Sequence, residues 1–331
     1  MTTDPVNWPL IPRGTFFEDH VVGRVFDHHW GRTIHASDNL TFSTQTLAFN
    51  PVHFNRAAAK AAGHPDEVIN PLLVFAVVFG LSVEDLSELG GPFLGATDVT
   101  YLRDVYPDET VYASSTVIEA RASETRPDTG IVTWHTVGRD TAGQPVIEFH
   151  RTNLVRRRTS STELLAVPDG YAEDFTVGAR FRHARSRTIT DLDLNGLTLL
   201  VMNSAPGHFS EQEMADTAFG ERINFGGLTL SLTVGLATQD TAGQAVRELG
   251  LDDIRFPVPV KHGDTVGAAT EVLAIDPLDG GDAVVTFRHL GVNQRGEIVC
   301  QTTRRVQVRR RAAEQPAAPT ASSSSLISTE S

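Results

Sequence analysis

Two histidines of this chain occupy the same local setting, each closing a Pro-x-His. The first run reads Asn50-Pro51-Val52-His53 and the second Ala205-Pro206-Gly207-His208. Imidazole is the side chain best suited to take up and return a proton near neutral pH, so a histidine kept in frame twice is a candidate acid–base group. The frame extends upstream: Arg32-Thr33-Ile34 answers Arg187-Thr188-Ile189, and Gly23 and Asp38 answer Gly178 and Asp193. The differences 178 − 23, 193 − 38 and 208 − 53 all equal 155. A period of that length suits a whole small domain, not a solenoid unit.

The elements that must hold these histidines follow one order in both copies. Residues 1–13, with three prolines, form an arm. The first repeat is expected over 14–158, a polar linker opens at Thr159, and the second repeat is expected over 171–310. A tail over 312–331, rich in Ala, Pro and Ser, cannot bury enough apolar surface to order itself. In each repeat a short strand leads to an acidic helix start (Ser37-Asp38, Thr190-Asp191), where Asp38 and Asp193 serve as capping groups. The Pro-x-His turn comes next. After it, Pro71 to Phe79 and Gly226 to Val234 read as helices apolar on most sides, to be wrapped by other structure. Asn70 and Asn224 precede them as expected N-caps. Alternation over Val111–Ile118, Ile131–Val137 and Ala283–Arg288 predicts strands, and Asp140–Gln144 and Asn293–Glu297 predict matching hairpin turns. A sheet wrapped around a helix, twice over and paired edge to edge, is the architecture this order implies.

Composition narrows the function. The 331 residues carry a formal charge of −13, which disfavours nucleic acid as a partner. The basic runs Arg156–Arg158 and Arg309–Arg311 read as solvated strand ends, with an anion-binding rim as the sharper alternative. No apolar run reaches the ~20 residues of a membrane helix, and the N-terminus lacks a secretory pattern. The single cysteine, Cys300, sits in a strand-like run and fits a structural role in a reducing cytoplasm. His28, His29 and His35 show no metal-ligand spacing, so no zinc site is expected, and His262 is expected exposed in a turn.

A further motif, Phe256-Pro257-Val258-Pro259-Val260-Lys261-His262-Gly263-Asp264-Thr265, has its counterpart in Tyr101 to Thr110. With the Asn-Pro-x-His run and a small-residue helix start, it resembles the MaoC-like hydratases of the hotdog fold, and especially their duplicated type that hydrates mesaconyl-CoA and itaconyl-CoA. The resemblance covers nearly everything between Phe16 and Arg310. It implies an α+β double hotdog fold and a hydro-lyase that adds or removes water at the 2,3 position of a coenzyme A thioester, with a branched or dicarboxylic acyl group. It implies no cofactor beyond coenzyme A as part of the substrate, and a monomer or homodimer.

The family's site motif is Asp-x-Asn-Pro-x-His followed by a glycine that opens the central helix. Asp and His act on water, and the glycine N–H polarises the thioester carbonyl, where negative charge develops. In the first copy Asn50, Pro51 and His53 match, but Ala48 stands at the Asp position. The helix opens there on Pro71, which has no N–H. In the second copy His208 and Gly226 match, while Asn203 replaces the Asp and Ala205 the Asn. The resemblance therefore implies His208, Asn203 and Gly226 as the catalytic set, with His53 and Asn50 a second site or a relic. Two competing functions share the fold: a dehydratase or tailoring enzyme on acyl-carrier-protein thioesters, and a non-catalytic thioester-binding protein.

Overall fold

The computed structural model describes residues 4–158 and 168–311. Residues 159–167 of the linker and the tail over 312–331 lie outside the described residues. The chain divides into two compact units: one contains Pro12–Leu164, and the other joins Met1–Ile11 to Leu165–Ser331.

The N-terminal unit carries strands β1 (Val25–Thr33), β2 (Phe93–Tyr101), β3 (Thr110–Ala122), β4 (Thr129–Arg139) and β5 (Pro145–Arg156), all antiparallel in the order β1-β3-β4-β5-β2. The C-terminal unit repeats this with β6 (Arg180–Thr188), β7 (Ala245–Arg255), β8 (Thr265–Pro277), β9 (Ala283–Asn293) and β10 (Ile298–Val308), in the order β6-β8-β9-β10-β7. Each sheet packs on its central helix, Pro71–Leu81 in one and Gly226–Thr241 in the other. This is a duplicated hotdog fold. The alternation read from the sequence falls on β3, β4 and β9, whose buried positions recur every second residue.

The two helices reach their sheets by different chemistry. In the N-terminal unit Leu73, Val74, Val77 and Val78 join a core with Val111, Ile147 and Phe149. In the C-terminal unit the inward positions are Thr229, Thr233, Ala237, Asp240 and Thr241. The hydroxyls of Thr233 and Thr241 return hydrogen bonds to carbonyls one turn back, so none is left unsatisfied. Close approach depends on a glycine in the same place of each sheet. A Cβ on Gly138 would stand 2.6 Å from Val78, and one on Gly291 would collide with the Thr233 hydroxyl. Gly291→Ala is therefore expected to destabilise the C-terminal unit by about 1–3 kcal/mol through overpacking. Chemical denaturation should show a lower midpoint, and an unchanged midpoint would refute the close-approach argument.

The N-terminal arm belongs to the C-terminal unit. Ile11 N–H donates to the Arg182 carbonyl at 3.0 Å, and Arg182 N–H donates to that of Pro9 at 2.7 Å. Trp8 is buried against Ala269 and Leu290, and Ile11 joins the core around Phe181. The basic runs also find partners inside their own units. Arg158 pairs with Asp19 at 2.8 Å and lies over the Phe16 ring, while Arg311 pairs with Asp169 and Asp174 and lies over Tyr171. These arginines tie the last strand to the acidic turn that opens each repeat, which accounts for them without an anion-binding rim. Among the described residues no helix is long and apolar enough to cross a membrane.

Candidate active site

In each unit the Pro-x-His forms a single 3-10 turn, Pro51–His53 or Pro206–His208. Both rings are anchored alike. His53 Nδ1–H donates to the Val68 carbonyl and His208 Nδ1–H to the Ile223 carbonyl, each at 2.9 Å. A proton held on Nδ1 leaves Nε2 as the basic nitrogen of the neutral ring. Neither Nε2 makes a hydrogen bond among the described residues. His208 is half-buried, and its ring lies 5.6 Å from that of Phe225.

The carbonyl that anchors each ring lies three residues before the central helix, so histidine and helix start are held together. The two starts differ. In the N-terminal unit Pro71 is the first helical residue, and Asn70 accepts from the Leu72 N–H at 3.0 Å. That end is closed: one donor is absent and the next is capped. In the C-terminal unit the helix opens on Gly226 and Gly227, whose N–H groups have no partner among the described residues. They sit at the positive end of a helix dipole, where an oxyanion is stabilised. A Cβ on Gly226 would stand 3.2 Å from the exposed Phe256 ring, a tight contact that a small shift of the ring would relieve.

The expected capping role of Asn224 is not found. The residue before Gly226 is Phe225, which cannot cap. The Asn224 N–H donates to the Val260 carbonyl as that of Ile69 does to Val105, so its counterpart is Ile69 and not Asn70. The 155-residue frame holds through both helix starts, and the asparagine of the second copy stands one position earlier in it than that of the first, at an interior place instead of the capping one. Asp38 and Asp193 do cap, accepting from the His35 and Thr190 N–H groups. They also pair with Arg32 and Arg187. The Thr190-Asp191 start leads not to a regular helix but to a π-type segment, Leu192–Leu197, and a short turn, Thr198–Leu200.

Asn203 and Asn50 hold turns. Asn203 Oδ1 accepts from the Ala205 N–H at 3.0 Å, and Asn50 Oδ1 from the Val52 N–H at 3.4 Å. The Nδ2 end of Asn203 remains free to hold a water. Asp264, in the Gly-Asp-Thr motif, is structural. Burial alone would raise its pKa, but hydrogen bonds from Gln294, the Lys261 N–H and Arg295 together hold it below the usual carboxylate range. Cys300 is buried and its thiol is pushed up to about 11, which keeps it protonated and inert.

The sequence reading missed one duplicated constellation. His183 donates through Nδ1–H to Asp240 at 2.6 Å and meets Thr270 at 2.7 Å, and Thr270 meets His289 at 2.8 Å. In the N-terminal unit His28 bridges Asp85 at 2.6 Å and Ser115 at 2.9 Å, and Ser115 meets Thr136 at 2.8 Å. His28, Asp85 and Ser115 stand in the 155-residue frame with His183, Asp240 and Thr270. That signal was available and would have separated His28 from its neighbour His29. The relays lie across the sheet at the far end of each central helix.

The same duplication appears in comparisons with known proteins. The family described as mesaconyl-CoA hydratase matches residues 11–166 and again 162–310. The mesaconyl-CoA hydratase of Haloarcula marismortui is 34% identical over 313 residues, covering 85% of this chain and 87% of that protein. The beta-methylmalyl-CoA dehydratase of Chloroflexus aurantiacus is 28% identical over 306 residues, 83% and 86% of the two chains. A solved MaoC domain protein dehydratase, also from Chloroflexus aurantiacus, is 25% identical with a TM-score of 0.43, covering 94% of this chain and all of that one. With both of its halves matched and a one-third-identical relative along most of its length, the chain belongs to the mesaconyl-CoA hydratase family of hydro-lyases.

Proposed function

We propose that the chain hydrates a short, branched, dicarboxylic 2-enoyl-CoA of the mesaconyl-CoA kind, or runs the reverse dehydration, and that the C-terminal unit does the chemistry. The observation that carries the assignment is the open helix start at Gly226 beside the unengaged Nε2 of His208, set against the capped start at Pro71. His208 Nε2 takes a proton from a water that the Asn203 Nδ2 group orients. The hydroxide adds to C3, and the electron pair moves through C2 to the thioester oxygen, where the Gly226 N–H stabilises it. The proton carried by His208 then returns to C2, so one water is consumed and no redox change occurs. Coenzyme A serves only as part of the substrate.

The test is incubation of the full chain with mesaconyl-CoA, with the acyl-thioester products weighed by mass spectrometry. A product heavier by one water is expected. Turnover of the carrier-protein thioester but not of the coenzyme A form would move the assignment to a biosynthetic dehydratase. Binding of both forms without turnover would make the chain a thioester-binding protein.

A further inference from the structure

One buried polar group near the helix start has no structural work to account for it. Asn224 is 5% exposed, and its Nδ2 donates to the Thr229 hydroxyl at 3.0 Å, but its Oδ1 has no partner. A buried, unpaired amide end is costly, and native interiors rarely leave one without a reason. Asn224 lines a cavity of about 390 Å³ along one flank of the helix Gly226–Thr241, walled by Ile189, Leu197, Leu228 and Leu232 and also by Arg185 and Arg187, which are engaged by Gln239 and Asp193. The N-terminal unit has the matching cavity, about 340 Å³, walled by Phe42, Leu73 and Val77. There the residue in the frame of Asn224 is Ile69, a member of the apolar core, and that of Thr229 is Val74. The polar pair is thus confined to the unit whose helix start is open.

We infer that this cavity receives the acyl group and that Asn224 is the specificity-determining residue for its second carboxylate. The inference rests on the substrate reading proposed above. Asn224 stands two residues before Gly226, so a thioester oxygen held on the Gly226 N–H places the acyl chain within reach. The far carboxylate of a mesaconyl group begins three carbons from the thioester carbonyl, roughly 4 Å at about 1.2 Å per bond. Thr229 accepts from Nδ2 and donates to the Phe225 carbonyl at a long 3.4 Å, so when the amide turns Nδ2 toward that carboxylate the hydroxyl can exchange this weak bond for one to Oδ1. The leucines and Ile189 provide an apolar wall for the methyl branch.

The experiment compares mesaconyl-CoA with 2-methyl-2-butenoyl-CoA, which has a methyl group where mesaconyl-CoA has its carboxylate. Asn224→Ile, the residue of the N-terminal unit, is expected to lower kcat/KM for mesaconyl-CoA about tenfold or more, and to leave the neutral substrate unchanged or improved. Dissociation constants of the saturated esters, 2-methylsuccinyl-CoA and 2-methylbutyryl-CoA, should shift in the same ratio and do not depend on turnover. Equal losses on both members of a pair, or no change in either ratio, would overturn the inference while leaving the hydratase reading intact. A wild type inert toward mesaconyl-CoA would instead sink that reading, and this one with it.

Discussion

His208→Ala is expected to reduce kcat for hydration by about 10²–10⁴-fold, the range that loss of a general acid–base group produces. KM should move far less, because the ring binds no part of the coenzyme A thioester in the proposed geometry. His53→Ala is the control. His53 is anchored like His208, by a 2.9 Å bond from Nδ1 to a backbone carbonyl, but it faces a helix start without a free donor. Its replacement should leave kcat within a few-fold. Steady-state kinetics on both variants decide between the units. A collapse confined to His53→Ala would reverse the assignment, and a collapse in neither would remove histidine from the mechanism.

Asp240→Ala should have the largest effect on stability, about 3 kcal/mol, the cost of removing the acceptor of a buried hydrogen bond and leaving its donor unsatisfied. His183 and Asp240 are both nearly inaccessible, with side chains 1% and 4% exposed. Without the carboxylate, the His183 Nδ1–H is left with neither protein nor water. The relay has no slack elsewhere. His289 Nε2 is already buried without a partner, and burial, then Arg304 and His183, keep its pKa well below the usual imidazole value. Asp85→Ala removes the matching carboxylate from the N-terminal unit, but Asp85 is 29% exposed. Water can replace it there, and a loss of only about 1 kcal/mol is expected. Chemical denaturation read with hydrogen exchange in each unit would measure both. Equal losses would mean that burial does not govern the strength of these relays.

Much of the fold was legible because duplication writes each signal twice. The hairpin turns at Asp140 and Asn293 close as expected, with Gly143 and Gly296 at positive φ. The Arg-Thr-Ile and Asp spacing was legible as a repeat and the aspartates as helix caps, though their ion pairs emerged only when β1 and β6 brought Arg32 and Arg187 to them. Asn224 was misread for a definite reason. Neighbouring asparagines before two equivalent helices look alike in sequence, but a shift of one residue rotates a side chain from the helix end into the interior. The relay partners lay in separate strands and helices, and only pairing of β6 with β8 and β8 with β9 brings His183, Thr270 and His289 into line.

The sequence alone determined the duplication, the repeated order of helix and strands, the family, and the two Pro-x-His positions. These are set by local spacing and residue type, which survive without coordinates. The tertiary structure decided what each histidine faces. An imidazole becomes a usable base beside an oxyanion donor only where the helix start has free N–H groups. That depends on Pro71 with the cap from Asn70 in one unit, and on Gly226 behind an uncapping Phe225 in the other. The inward turn of Asn224 was likewise shown by the structure, where its backbone bond to Val260 matches that of the interior Ile69 to Val105 and holds the side chain against the helix flank.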